Sequence, residues 1–441
     1  MTKIGEKRIL SKNISNLKLC TRDIETNRKI RILAFFWHPP IKVVVGAYKR
    51  FLDVLSHVEK YDVEYDIIEN EPILIQNERY NVYGYRIPFP YTTFFTKFLA
   101  MIYGFLMMFV LGVKACRKKR YDFIMTPVGE LSCETLSVYL THLITKVPWT
   151  VLICNVPEAY PVIDESGKLV ISLKEIFDYY RKLRYKLIDA CLMALYSYFP
   201  KLYLPKIYNK STAILCLNES LKWYLTNLGV RIKIFVVGMG LDLDEIRDDD
   251  FKSRKKYDAI FLGRFVPEKG IFDAIKVWRE VVNNFPGVTL ALVGYADETQ
   301  IMAVRNTIRD LKLSEEVKIL GTVSEVEKFR LLYNSGFFLY LSRFESFGRV
   351  LVEAMACGLP IVSYDAPYVK ELFSYPCVLR APIGDIEGAA KHACSILEDE
   401  VRRRELGDLA KELVKNYGWS MIAKQEVETY FKLIIIFNKK R

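Results

Sequence analysis

Short apolar runs that alternate with stretches of helical period constrain this 441-residue chain most, because the alternation occurs twice in series. In the first half the runs are Ile30–Phe36, Phe123–Thr126, Trp149–Asn155, Ala213–Leu217 and Ile234–Val237, rich in β-branched and aromatic side chains. Helical patterns at Tyr48–Val58, Thr135–Thr145 and Glu219–Leu228 lie between them. Near-continuous apolar strands are covered on both faces, and strands alternating with helices build parallel sheets. After the acidic, turn-prone Asp242–Asp250 the pattern restarts with Asp258–Gly263, Val288–Gly294, Val317–Leu320, Phe337–Leu341, Pro360–Ser363 and Cys377–Leu379. Two such arrays predict an α/β chain of two Rossmann-like, doubly wound domains facing a cleft. The expected division is a tail over 1–29, a first domain over 30–240, a second over 241–419 and a C-terminal helix over 420–441. That helix either crosses back to the first domain or lies on a membrane.

Charge separates the halves. Residues 1–240 hold 34 Lys+Arg against 21 Asp+Glu, a balance of +13; the rest hold 30 against 31, a balance of −1. A one-sided positive field suits an anionic partner, whether nucleic acid, an acidic membrane surface or a phosphorylated substrate; its bland reading is solubility alone. Nine scattered cysteines without C-x-x-C spacing, with four histidines, show no zinc pattern, so no metal is expected, and a reduced, intracellular compartment is the simpler inference. The N-terminal twenty residues lack an apolar signal core. From Phe98 to Val113 the chain runs 16 residues without a charge, with Lys97 before it and Lys114, Arg117, Lys118, Lys119 and Arg120 after it. A span needs about 20 apolar residues, so the segment reads as a buried or an interfacial helix ahead of a transmembrane one. Gly238-Met-Gly240 does not extend to a dinucleotide fingerprint, since Leu243 stands where the third glycine is needed, and there is no G-x-x-x-x-G-K-[ST].

The densest chemistry lies in residues 342–372, read as strand, loop, helix, strand. Glu345 sits in the loop, Phe347 and Gly348 open the helix, and Glu353 lies inside it. Free N–H groups at such a helix start, with the helix dipole, bind anions such as a diphosphate, and Gly348 permits close approach. Glu345 can accept bonds from sugar hydroxyls, and Glu353 from a ribose diol. Carboxylates beside a diphosphate require cations. Arg264 and Lys269, after the strand Asp258–Gly263, supply them at the ligand end of the sheet. Together they can neutralise a leaving diphosphate without a metal.

The series G-R-x-x-x-x-K-G, the glycine-ended strand Leu292-Val-Gly294 and the E-x₇-E in its F-G-x-x-x-x-E-A-x-A-x-G-x-P context resemble the large family of retaining glycosyltransferases with the GT-B fold (glycosyltransferase family 4, group 1 type). Sucrose-phosphate synthases, mannosyltransferases of lipid-linked glycans and bacterial phosphatidylinositol mannosyltransferases belong to it. The resemblance is dense over residues 212–420 and looser over 30–211. It implies that Arg264 and Lys269 bind the donor diphosphate, Glu345 contacts the transferred sugar beside the Phe347–Gly348 backbone, Glu353 holds the ribose, and Thr322 and Val323 lie near the base. It also implies retention, with the leaving phosphate taking the acceptor proton on the same face, and no cofactor beyond the nucleotide sugar. The first domain departs from the family pattern. Gly46 alone stands where a Gly-Gly pair is common, Asn155 stands where a histidine is common, and Met239 replaces an asparagine at the junction. His38, in FFWHPP, and Asn155 are the acceptor-side candidates.

The expected partners are therefore a nucleotide-sugar donor, a glycan or lipid-linked acceptor, and an anionic membrane touched through Phe98–Val113 and Lys114–Arg120; nucleic acid is not expected. The expected location is cytoplasmic, peripheral at the inner face of the cell membrane. Two other readings stand beside it: an enzyme for a small soluble acceptor with the apolar helix buried, and a binding subunit that kept the fold without catalysis.

Overall fold

A computed structural model describes residues 29–37, 46–70, 80–89, 94–127, 132–154, 173–182, 202–243, 256–343 and 347–440, with the single positions 187, 191, 198, 246 and 345. They contain two sheets. The first holds β1 (Ile30–Phe36), β2 (Val63–Asn70), β3 (Asn81–Tyr85), β4 (Phe123–Thr126), β5 (Trp149–Ile153), β6 (Ala213–Cys216) and β7 (Ile234–Val236), in the order β3-β2-β1-β4-β5-β6-β7. The second holds β8 (Tyr257–Leu262), β9 (Leu290–Val293), β10 (Val317–Gly321), β11 (Ser335–Tyr340), β12 (Ile361–Tyr364) and β13 (Val378–Ala381), in the order β10-β9-β8-β11-β12-β13. Neighbouring strands are parallel throughout. Strand order reverses between β1 and β4 and again between β8 and β11. In open parallel sheets these switch points are where a crevice opens at the carboxyl ends of the strands.

The sequence reading lacks β2 and β3. The β2 sequence VEYDIIEN carries acids that argue against a buried strand. Partners from elsewhere neutralise them. Lys119 Nζ lies 3.0 Å from Asp66 and also pairs with Glu64, and the Tyr121 hydroxyl donates to Asp66. The Lys119 hydrogen bond, foremost, holds the Glu64 carboxyl at about 2. The same contacts correct the expected basic cluster: Lys119 belongs to β2, whereas Lys114, Arg117, Lys118 and Arg120 are exposed.

The apolar segment forms the helix Phe94–Lys118, and the protein covers one face of it. Ala100, Gly104, Met108, Gly112 and Ala115 are buried, spaced so that they share that face. A Cβ on Gly112 would lie 2.5 Å from the Phe35 ring, and one on Gly104 2.8 Å from the Trp37 indole nitrogen. Small residues therefore let the helix lie close to the end of β1. The opposite stripe, Ile102, Leu106 and Val110, is exposed, Val110 by 55%, as are Leu143 and Ile144 on the adjoining helix Ser132–Thr145. By length and composition Leu99–Lys118 could cross a membrane, and 28% of that window is buried.

The helix Trp419–Lys440 returns to the first sheet. Arg50, 1% exposed on the helix Gly46–Val58, donates to the Gly238 carbonyl at 3.0 Å and to Glu426 at 2.6 Å. Tyr430 donates to the other oxygen of Glu426, and Tyr65 on β2 donates to the Tyr430 hydroxyl at 2.7 Å. The two passages between the sheets run side by side, since Leu241 and Gly418 form a parallel bridge.

Candidate functional site

The second switch point gathers the candidate residues. β8 leads into Arg264 and the single helical turn Pro267–Lys269; β11 leads into Glu345 and the helix Arg349–Ala356. Gly270 governs how close these two loops come. Its φ is +77°, and a Cβ there would lie 2.1 Å from the Leu341 carbonyl oxygen, so only glycine lets the turn seat against the end of β11. The Arg343 N–H donates to the Glu268 carbonyl at 3.0 Å, and its guanidinium meets Asp273 at 2.8 Å. Tyr364 donates to the same Asp273 oxygen at 3.0 Å. With both loops pinned, Lys269 and Glu345, 76 residues apart, form an ion pair. Their side chains are 12% and 18% exposed, so the pair is not fully sealed from water. Arg264 is exposed at the same strand end.

Glu353, 2% exposed, is also charge-compensated. Its Oε1 accepts from Arg349 Nε at 3.1 Å and lies 3.0 Å from Lys328 Nζ. Arg349 Nη1 lies 3.7 Å from Asp53 on the helix Gly46–Val58, which links this carboxylate to the first sheet. Neither Lys328 nor Arg349 was among the sequence candidates. Arg349 had a signal, because residues four apart on a helix share a face. Lys328 had none, since it arrives from the helix Glu325–Tyr333.

Thr322 and Val323 connect β10 to that helix, Thr322 exposed and Val323 half-buried. The Phe347 ring is packed edge-on against Phe373 and Tyr417, which leaves its backbone as the part that a ligand can use. Gly348, φ +79°, is the N-cap of Arg349–Ala356 and has no side chain of its own to cap it. Gly46 opens the helix that carries Arg50 and Asp53. His38 and Asn155 lie outside the described residues.

The arrangement brings cations and carboxylates together at the second switch point. The helix start, Lys269 and Arg264 each favour negative charge nearby. Glu345 and Glu353 are hydrogen-bond acceptors whose charge is already balanced, so they can receive hydroxyl groups beside an anion.

Residues 242–413 match the family described as glycosyl transferases group 1. Over 198 residues the chain is 30% identical to a phosphatidyl-myo-inositol mannosyltransferase of Mycolicibacterium smegmatis, covering 43% of this chain and 50% of that protein. Over 195 residues it is 28% identical to an N-acetyl-alpha-D-glucosaminyl L-malate synthase of Bacillus anthracis, covering 44% and 50%. The chain thus spans about half the length of the curated relatives it matches. Among solved structures, Anabaena HepE in complex with UDP and glucose superposes with a TM-score of 0.66 at 17% identity, covering 91% of this chain and 100% of that one. The sucrose-phosphate synthase of Thermosynechococcus elongatus gives 0.68 at 17% identity, covering 92% and 100%. The second sheet with its ion-paired cleft is therefore the part that matches the group 1 glycosyl transferases, and the chain as a whole has their two-domain, Rossmann-like GT-B fold.

Proposed function

We propose that this protein is a retaining hexosyltransferase that moves a sugar from a nucleotide-sugar donor to a lipid-linked or membrane-proximal glycan. The observation that carries the reading is the Lys269–Glu345 pair before the helix Arg349–Ala356, on a switch point between parallel strands. In this reading the diphosphate sits on the helix N–H groups with Arg264 and Lys269, the sugar hydroxyls on Glu345, the ribose on Glu353 and the base near Thr322 and Val323. The bond from the anomeric carbon to the phosphate oxygen breaks, and its electron pair stays on the diphosphate. The two cations and the helix dipole stabilise that charge, which is where electrostatic catalysis acts. The acceptor oxygen bonds to the anomeric carbon on the same face, and its proton passes to the leaving phosphate. Charge neutralisation by side chains needs no metal.

The exposed Ile102, Leu106, Val110, Leu143 and Ile144, bordered by Lys114, Arg117 and Lys118, favour an acceptor at an anionic lipid surface. The same face, with its basic border, supports reading the location as cytoplasmic and peripheral at the inner face of the membrane. Two names among the relatives, the phosphatidyl-myo-inositol mannosyltransferase and a capsular polysaccharide biosynthesis glycosyltransferase of Staphylococcus aureus, fit this acceptor class.

A panel of nucleotide sugars, read for thermal stabilisation and slow hydrolysis, tests the proposal. One donor should raise the melting temperature and be hydrolysed, with the rate kept in excess chelator. Silence across the panel would reject the enzyme reading, and loss restored by a divalent ion would reject the cationic-side-chain mechanism.

A further inference from the structure

Glu371, which no step above uses, reaches from the second domain to the first. It lies on the helix Pro367–Leu372, which follows β12; opposite it, the helix Glu219–Asn227 follows β6. Both helices start at the carboxyl ends of their sheets. A helix start leaves N–H groups without partners inside the helix. Asn218 takes one of them, its side-chain oxygen accepting from the Leu221 N–H at 2.7 Å. Glu371 takes two more, although its partners are 152 and 151 residues away in the chain. One carboxylate oxygen accepts from the Glu219 N–H at 2.7 Å and the other from the Ser220 N–H at 2.6 Å. The Ser220 hydroxyl donates to the second oxygen as well. A carboxylate at the positive end of a helix makes charge-assisted bonds.

Two properties make this contact more than a cap. Its groups are open to water: Glu219 and Glu371 are exposed and Ser220 is half-buried, so water can replace each bond when the domains part. The sealed Arg50–Glu426 pair has no such exchange. The helix that carries Glu371 is also tied to the cleft and to the chain crossing. Tyr368 donates to the Ser342 carbonyl at 3.3 Å, in the loop that leads to Glu345. The Leu372 carbonyl accepts from the Tyr417 hydroxyl at 2.7 Å, and the Tyr417 carbonyl accepts from the Leu241 N–H at 2.8 Å. One short helix thus meets the opposite domain, the loop of Glu345 and the passage between the sheets. Loss of the Glu371 bonds frees the first domain to turn about Leu241 and Gly418 without unfolding either sheet.

We propose that Glu371 is a reversible latch that holds the two domains at this spacing and opens by exchanging its bonds for water. The latch is independent of what the cleft binds, so its failure leaves the proposed function standing. The test is small-angle scattering from the full chain as wild type, Glu371→Ala, Glu371→Lys and Lys370→Ala, with melting temperatures and hydrogen exchange. Glu371→Ala should show a larger radius of gyration than wild type and melt near it. Its Glu219 and Ser220 amides should exchange roughly tenfold faster or more, as loss of bonds to a charged acceptor requires. Glu371→Lys should be at least as expanded, because a helix start repels a cation. Lys370→Ala, on the same helix but facing Asp365 at 3.3 Å, should keep the wild-type radius. A wild-type radius in both Glu371 variants overturns the latch even where exchange quickens, since a local helix cap gives faster exchange alone. So does an equal expansion of Lys370→Ala, or a collapse in the melting temperature of Glu371→Ala, each of which marks unfolding of the helix Pro367–Leu372.

Discussion

Two ion pairs in this molecule use similar side chains for opposite ends. Arg50–Glu426 is sealed, with each side chain 1% exposed, and it ties the C-terminal helix to the first sheet. Lys269–Glu345 is partly wetted and joins two loops at the second switch point. Removing water makes the first pair strong once formed and costly to break, because either partner alone would be a buried charge. Under the proposed function the second pair exchanges partners, a phosphate taking the lysine and a hydroxyl the carboxylate. Exposure, more than residue type, sets whether a salt bridge holds a fold or waits for a ligand.

The comparison can be broken at either end. The largest effect is expected at the sealed pair: Glu426→Ala should destabilise the protein by about 3–5 kcal/mol in thermal unfolding, and Arg50→Met with Glu426→Leu should recover much of it. A melting temperature that stays put in Glu426→Ala would mean that the pair does not hold the helix. At the open pair, Lys269→Ala and Glu345→Ala should each lower turnover by about 100-fold or more, with melting temperatures near wild type. Wild-type rates in both would refute the site, and a matching collapse in stability would erase the contrast drawn above. The smallest effect concerns the membrane face. Replacing Lys114, Arg117 and Lys118 by Ser should weaken binding to anionic liposomes by about tenfold at low salt. Lys119→Ser should instead lower stability through Glu64 and Asp66 and leave lipid binding alone. Unchanged liposome binding in the triple variant rejects this face as the anchor.

Much of the second sheet was legible because its strands are short apolar runs ending at turn-forming residues. Each expected run there overlaps a strand within about two residues, the usual error at element ends. The Glu345 to Glu353 spacing and the Arg264 and Lys269 positions were legible too, as loop residues at strand ends. β2 was not, because its acids look exposed until Lys119 and Tyr121 are brought to them. Lys328, the cation on Glu353, was invisible for the same reason: nothing local connects residues 25 apart on different helices.

By itself the sequence determined what short-range physics governs: the alternation of strand and helix, the turn at Gly270 and the helix start at Gly348. These depend on periodicity and on φ angles that neighbouring residues impose. Tertiary structure decided which charges meet and which face of Phe94–Lys118 stays bare. Pairing across tens of residues depends on sheet order, and a helix apolar all round carries no mark of the side that its own protein will cover.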